Sequence, residues 1–120
     1  MLSKRDRARL DITSKTAINS SCRSKHAAAI WKSGSLLAVG INKSRLMNSY
    51  VNWSEDCSVP SFHAEESAIR QCENMGMDLK GTVLYVSRVN KAGTEMMSRP
   101  CNKCHALIVK AGIRKVVYTV

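Results

Sequence analysis

Residues 63–89 read HAEESAIRQCENMGMDLKGTVLYVSRV, and this stretch determines the predicted fold class. Its first half predicts a helix over residues 63–75 with one buried face. Four residues recur on that face at i, i+3, i+4 and i+7: Glu65, Ala68, Ile69 and Cys72. Gly76 stands where a helix stop belongs, and the β-rich run Thr82–Val89 then predicts a strand. A helix that leads into a strand is typical of α/β proteins.

The same order recurs at the end of the chain. Residues 101–111 predict a second helix, because Cys104, Leu107, Ile108 and Ala111 share the same spacing. Gly112 ends this helix, and residues 115–120 predict the last strand. Two helix–strand units in succession favour a sheet with helices packed on it.

The first half of the chain predicts one more helix and two strands. Residues 3–20 predict a helix of weak apolar periodicity, and the strands Ala27–Lys32 and Leu36–Ile41 flank a hairpin turn at Ser33-Gly34. Two polar loops are predicted, at residues 42–62 and 90–99. The order α-β-β-α-β-α-β predicts an α/β layer fold with a mixed sheet.

The chain has 120 residues, which is enough for a single domain over residues 1–120. Its net charge of +10 is concentrated in residues 1–45, which carry ten Lys/Arg and two Asp. This basic half indicates an anionic partner, or it is a solvated face. The longest apolar run, Ala27–Trp31, is far shorter than the roughly 20 residues of a membrane span. We see no secretory signal and expect a cytoplasmic protein.

Both strong helices begin with residues that can bind a metal ion. His63 opens the first, and Pro100-Cys101-Asn102-Lys103-Cys104 opens the second. Helix N-termini favour thiolates, and zinc prefers the Cys and His ligand types. His63, Cys101 and Cys104 therefore predict a zinc site with three protein ligands. The open fourth position is typical of catalytic zinc, which acidifies a water molecule.

Glu65 is unusual because it shares the apolar face of its helix. A buried carboxylate is costly unless it is paired, hydrogen-bonded or protonated. Beside the metal, Glu65 could act as a general base and then as a general acid. Glu66, one residue later, is predicted to point toward solvent.

The pattern His-x-Glu followed by Pro-Cys-x-x-Cys is typical of zinc-dependent nucleobase deaminases. From about residue 22 to its end, the chain resembles the cytidine/deoxycytidylate deaminase superfamily, and in particular the deoxycytidylate type. Five segments carry the resemblance: 40–42, 63–69, 82–86, 100–104 and 107–118. It implies a three-layer α/β/α fold with a mixed sheet of four to five strands. Residues 1–21 would be a basic N-terminal helix, and residues 22–120 the catalytic core.

The resemblance also implies roles for individual residues. His63, Cys101 and Cys104 would bind one zinc ion, and Glu65 would move protons while hydroxide attacks C4 of a cytosine ring. The backbone N–H groups of Ala64 and Cys101 would hold the base or the attacked centre. Substrate contacts would come from Asn42 at the sugar and from three cations at a phosphate: Arg23, Lys43 and Arg45. A second, structural ion is not expected.

We therefore expect an enzyme that deaminates a cytosine-type nucleotide or nucleoside, with dCMP to dUMP as the leading reaction. One alternative is a deaminase acting on cytosine or adenine in single-stranded DNA or RNA, including tRNA, which the basic first half favours. Another is a non-catalytic, zinc-stabilised module that binds nucleic acid.

Two departures from the family pattern bear on the substrate. The loop Arg88–Arg99 is longer than the usual link before Pro-Cys and could reshape the mouth of the site. The family commonly adds a strand and a helix after the last strand predicted here, whereas this sequence ends at Val120. We expect a neighbouring subunit to complete the pocket, and hence a homo-oligomer.

Overall fold

The computed structural model describes residues 2–22, 24–44 and 61–120. In chain order the elements are α1 (Lys4–Ala17), β1 (Lys25–Lys32), β2 (Ser35–Ile41), β3 (Lys43–Ser44), β4 (Ser61–Phe62), α2 (Ala64–Asn74), β5 (Val83–Val89), β6 (Glu95–Met96), α3 (Asn102–Ala111) and β7 (Lys115–Tyr118). The three predicted helices and the four longer strands are confirmed, with small shifts at their ends.

The sequence did not predict three short strands, β3, β4 and β6. Each is only two residues long and exists through its pairing: β3 pairs with β4, and β6 forms a short hairpin with the end of β5. The predicted loop over residues 90–99 therefore contains a strand, and the ends of the predicted loop 42–62 are held together. Residues 45–60 of that loop lie outside the described residues.

Five strands form one mixed sheet. β1 lies between β2 and β5 and pairs antiparallel with both. Two strands share the other edge of β5: β7 runs parallel to Val83–Val86, and β6 runs antiparallel to Arg88–Val89. The prediction of a mixed sheet with four to five strands is confirmed.

Helices cover both faces of this sheet. Successive residues of a strand point to opposite faces, so Ala29 and Tyr85 pack with Leu10 of α1. Their neighbours on the strands point the other way, toward α2 and α3: Ala28, Ile30, Leu84 and Val86 pack with Ala68, Ile69 and Ile108. The result is the predicted three-layer α/β/α arrangement.

The N-terminal helix α1 is capped by Ser3, whose hydroxyl accepts a hydrogen bond from the backbone N–H of Asp6 at 3.0 Å. Its buried residues fall on one face: Asp6, Leu10, Thr13 and Ala17. This face packs on the sheet, although the apolar periodicity of the sequence is weak. No helix in the described part of the chain is long and apolar enough to cross a membrane.

Gly40 in β2 lets α2 approach the sheet closely. A Cβ atom at this position would lie 2.6 Å from the Ala64 carbonyl oxygen and 2.7 Å from the Ala68 backbone nitrogen. Both atoms belong to the helix backbone and cannot move aside as a flexible side chain can. The absence of a side chain at Gly40 therefore sets where α2 begins, and with it the position of His63.

Candidate metal centre

The three predicted metal ligands lie at the starts of α2 and α3. His63 is the N-cap residue of α2, and Cys101 is the N-cap residue of α3. Both have extended backbone conformations, and neither side chain caps its own helix. Cys104 lies in the first turn of α3, three residues after Cys101, on the same side of the helix. The two helix starts thus bring an imidazole and two thiols together.

The distances between these donors fit one zinc ion. His63 Nδ1 lies 3.4 Å from Cys104 Sγ and 3.6 Å from Cys101 Sγ. All three donor atoms lie within 4.8 Å of one another. Tetrahedral zinc with ordinary bond lengths places N and S ligands about 3.5 Å apart, and two S ligands about 3.8 Å apart. Within the described residues, no other group of three or more His, Cys, Asp or Glu donors converges in this way.

The site also favours a cation electrostatically. Burial raises the pKa of the Cys104 thiol, and the nearby negative charge of Glu65 raises it further. A thiol in such surroundings stays protonated unless a positive charge compensates for its ionisation. A divalent cation bound between the donors would supply that charge. Cys101 is exposed, whereas Cys104 is buried, so the cluster reaches from the protein interior to its surface.

Glu65 lies on the buried face of α2, next to the donors. Its side chain is largely inaccessible, at 4% exposure. Burial raises the pKa of its carboxyl group, whereas its own backbone N–H, the charge of His63 and the Cys104 thiol lower it. The Glu65 Oε1 atom has no hydrogen-bond partner in the part of the chain that the structure describes. An unpartnered buried carboxylate oxygen is costly, which points to a ligand, water or proton as its partner.

The prediction that Glu66 points toward solvent is wrong. Glu66 is buried, at 3% exposure, and its Oε2 atom lies 3.0 Å from Arg70 Nη2 and 3.8 Å from Lys103 Nζ. The physical reason is that α3 packs beside α2, so this side of α2 faces another helix. Lys103 stands between the two cysteine donors in sequence. The Glu66–Lys103 ion pair therefore connects the two helix starts that carry the metal ligands.

Asn42 is placed near the site and is strongly hydrogen-bonded. The next residue, Lys43, pairs with Phe62, which directly precedes His63. The Asn42 Oδ1 atom accepts hydrogen bonds from the backbone N–H of His26 at 2.9 Å and from the Ser20 hydroxyl at 2.6 Å. Its Nδ2 atom donates to the Ser24 carbonyl oxygen at 2.8 Å. Asn42 thus holds the segment before β1 against the end of β2, and its predicted contact with a sugar stays a prediction.

Two of the other residues predicted to contact the substrate, Ala64 and Lys43, lie in the described part of the chain. Ala64 is fully buried in the first turn of α2. The Lys43 side chain is exposed on β3. Arg23 and Arg45 lie outside the described residues.

Two residues outside the predicted catalytic site, His26 and Arg88, lie near the metal ligands. Burial, followed by the positive charges of Arg88 and His63, lowers the pKa of His26 to about 4. The Arg88 Nε atom donates to the Ser24 hydroxyl at 2.7 Å. Ser24 and Arg88 also line a cavity of about 470 Å³ together with Met96. Their sequence signal is weak, because His26 and Arg88 become neighbours only through the register of β1 with β5.

Ser98 anchors the segment that leads into α3. Its hydroxyl is buried and donates to the Val86 carbonyl oxygen at 2.9 Å. The Ser98 hydroxyl oxygen also accepts a hydrogen bond from the Thr119 backbone N–H at 2.9 Å. This links the chain just before Pro100 to β5 and to the end of β7. These hydrogen bonds hold the end of the 90–99 segment in place directly before α3 begins.

Comparisons with known proteins agree with this geometry. Residues 5–120 match the family described as the cytidine and deoxycytidylate deaminase zinc-binding region. No curated protein shows significant sequence similarity to the chain.

Among solved structures, the apo dCMP deaminase of cyanophage S-TIM5 is 25% identical, with a TM-score of 0.76, and the match covers 98% of this chain and 84% of that one. Guanine deaminase from Bacillus subtilis shares the fold at 24% identity and a TM-score of 0.59, covering 98% of this chain and 64% of that one. Cytidine deaminase from Mycobacterium tuberculosis shares it at 14% identity and a TM-score of 0.55, covering 90% and 81%. The family match extends over nearly the whole chain and includes the three donors and Glu65. The chain therefore belongs to the cytidine and deoxycytidylate deaminase zinc-binding family and is a hydrolytic deaminase that acts on a C–N bond.

Proposed function

We propose that this enzyme converts dCMP to dUMP with release of ammonia. The observation that carries the proposal is the convergence of His63, Cys101 and Cys104 beside the buried carboxyl group of Glu65. The likeness to the cyanophage dCMP deaminase supports the choice of substrate. A second structure of that phage protein contains dCMP and dUMP and has the same fold as this chain.

The three donors would hold one zinc ion. When bound, zinc lowers the pKa of water from about 15.7 toward about 7, which makes hydroxide available at neutral pH. Cys104 anchors the ion from the protein interior, and the exposed Cys101 lies at the surface end of the cluster. The N-cap positions of His63 and Cys101 keep both side chains directed away from their own helices.

Glu65 would transfer the protons of the reaction. It takes a proton from the attacking water and passes it to N3 of the cytosine ring, while the water oxygen adds to C4 and the C4–N3 double bond becomes single. It then takes the remaining proton of the added hydroxyl group and gives it to the amino group, so that the bond from C4 to the amino nitrogen breaks, C4=O forms and ammonia leaves. Burial raises the pKa of Glu65, which helps its carboxyl group to keep the proton between these two transfers.

Substrate would be oriented by groups around this centre. The first backbone N–H groups of α2 and α3, including that of Ala64, would donate hydrogen bonds to polar atoms of the base, as at other helix N-termini. Asn42 would contact the sugar. The phosphate would lie among basic residues: Arg23, Lys43, Arg45 and, from the described cavity wall, Arg88.

A substrate panel tests this proposal. Purified zinc-loaded protein is assayed for ammonia release with dCMP, CMP, deoxycytidine, cytidine and a cytosine-containing single-stranded oligonucleotide. We expect dCMP to have the highest kcat/KM, and deoxycytidine to be poorer because it lacks the phosphate. Turnover of nucleosides alone, or no turnover of any compound by zinc-loaded protein, would refute it.

A polynucleotide deaminase is the second candidate. Residues 1–45 carry ten basic and two acidic residues, and such a surplus attracts phosphate backbones. Turnover restricted to the oligonucleotide in the same panel would favour this reading. The low aromatic content of 5% argues against it, because single-strand binding relies on base stacking.

We also propose that the enzyme forms a homo-oligomer. Within the described residues, β2 pairs only with β1, and β7 pairs only with β5. Large apolar side chains are exposed near these elements, including Leu36 on β2 and Val109 on α3. Open strand edges and exposed apolar side chains favour contact with a second subunit.

A further inference from the structure

A pocket of about 420 Å³ lies at the end of the sheet away from the metal ligands, and we call it the end pocket. Its wall includes Trp31, Val83 and Lys115, which are neighbours across β1, β5 and β7. At the other end of the same strands, His26 pairs with Arg88 near the metal donors. At about 3.3 Å per strand residue, Trp31 lies about 17 Å from His26. A ligand in the end pocket would therefore be separate from the active site.

Positive charge converges on this pocket from two parts of the chain. Arg5 and Arg9 reach it from α1, and Arg114 and Lys115 reach it from the start of β7. The one carboxylate in the wall belongs to Asp6, which pairs with the Lys115 ammonium group at 3.1 Å. The wall of the pocket therefore offers no second carboxylate to pair with its three guanidinium groups, which belong to Arg5, Arg9 and Arg114.

Arg9 is held in place before any ligand arrives. Its guanidinium group stacks over the Trp31 ring, 4.0 Å from the ring centroid. Its Nη2 atom donates to the Ser33 carbonyl oxygen at 3.0 Å. Stacking on an aromatic ring and a hydrogen bond together restrict the side chain, so little further conformational entropy is lost on binding.

Arg5 and Arg114 differ from Arg9 in that no contact of the described residues holds their side chains in place. Within the residues that the structure describes, neither side chain forms a hydrogen bond or an ion pair, and both are exposed. Gathering like charges around one concavity is unfavourable, and an anion placed among them relieves the repulsion. The planar fork of a guanidinium group matches phosphate oxygens in a bidentate manner.

We propose that the end pocket is a second anion site, which binds the phosphate group of a nucleotide or of a single-stranded nucleic acid independently of the active site. Its volume is within the range of small-molecule pockets. Arg9 provides the fixed guanidinium group, and Arg5 and Arg114 close on the phosphate from either side. A nucleotide and a single-stranded nucleic acid both offer phosphate oxygens, and the probes used in the test distinguish between them.

Trp31 provides a local readout of binding. Its fluorescence is isolated in a Trp53→Phe background, because the chain has two tryptophans. The full chain is titrated with thymidine, thymidine monophosphate and a short oligothymidylate, which contain no cytosine to be turned over. The test variant is Arg5→Ala/Arg114→Ala. The control is Lys15→Ala/Lys110→Ala, which removes the same charge from two exposed lysines that do not line the pocket.

We expect saturable fluorescence changes with a phosphate-bearing probe and none with thymidine. The arginine variant should weaken binding by about tenfold or more, since it removes two guanidinium groups that would form charge-assisted hydrogen bonds to the phosphate. The lysine control should change it far less, and ammonia release should be retained in both variants. Binding of the monophosphate identifies a nucleotide site, and binding of the oligonucleotide alone identifies a nucleic-acid site. Equal weakening by both double variants, or no saturable signal with either phosphate probe, would overturn the proposal.

Discussion

At the scale of single residues, Glu65 carries the proposed proton transfer. Glutamine has the same size but cannot take up a proton, so Glu65→Gln should lower kcat for dCMP by roughly 10²–10⁴-fold. The zinc content should not change, because Glu65 is not one of the three donors. Steady-state rates and metal analysis measure both effects. Glu73→Gln, at an exposed position of the same helix, is the matched control. Wild-type turnover in Glu65→Gln would rule out this role.

His26 predicts a pH dependence of stability. Burial, then the charges of Arg88 and His63, lower its folded-state pKa to about 4, whereas the unfolded value is about 6.5. Between these two values the unfolded chain binds a proton at His26 that the folded chain does not. The free energy of unfolding should therefore fall as the pH falls from about 6.5 to about 4.

The check is denaturant unfolding at a series of pH values, with His26→Gln as the comparison. The variant should lose this part of the pH dependence. An NMR titration of the His26 ring gives an independent measurement, with an expected midpoint near 4. A midpoint near the ordinary value of about 6.5, or the same pH dependence in His26→Gln, would be incompatible with a half-buried, neutral imidazole.

At the scale of elements, the contact between β2 and α2 positions the site. Gly40→Ala would place a Cβ atom 2.6 Å from the Ala64 carbonyl oxygen. Because this atom is helix backbone, α2 must shift, and we expect a loss of about 1–3 kcal/mol in the free energy of unfolding. His63 and Glu65 move with the helix, so zinc affinity and kcat should also fall.

Gly34→Ala is the matched control for this substitution. Nothing lies within 4 Å of a Cβ atom at Gly34, and its backbone does not require glycine. Thermal unfolding and zinc titration of both variants compare the two positions. If Gly34→Ala and Gly40→Ala were equally stable and bound zinc equally well, the close approach of α2 to β2 would not position the ligands.

The helices, the longer strands and the metal donors could all be predicted from local patterns. Apolar spacing identifies α2 and α3, and the donors stand at the first residues of these helices. Features that depend on tertiary neighbours could not be predicted. Glu66 is buried only because α3 supplies Lys103 beside it. Strand β6 exists only because it pairs with the end of β5, and His26 meets Arg88 only through strand register.

At the scale of the whole molecule, the sheet edges predict self-association. Leu36 and Val109 are large apolar side chains with 45% and 64% exposure. A second copy of the chain would cover such surfaces and the open strand edges. Sedimentation velocity at micromolar concentration should show a dimer or a larger species. A monodisperse monomer under these conditions would contradict the proposed oligomer.

Zinc content is the most direct test of the chemistry that the whole fold supports. Three donors from two helix starts should bind one zinc ion per chain, because the distances of 3.4 and 3.6 Å from His63 Nδ1 to the two thiols fit tetrahedral zinc. Metal analysis of the purified protein should give this stoichiometry for the wild-type chain, and Cys104→Ser should abolish it. A wild-type chain without stoichiometric zinc, or a Cys104→Ser variant that retains it, would contradict the account.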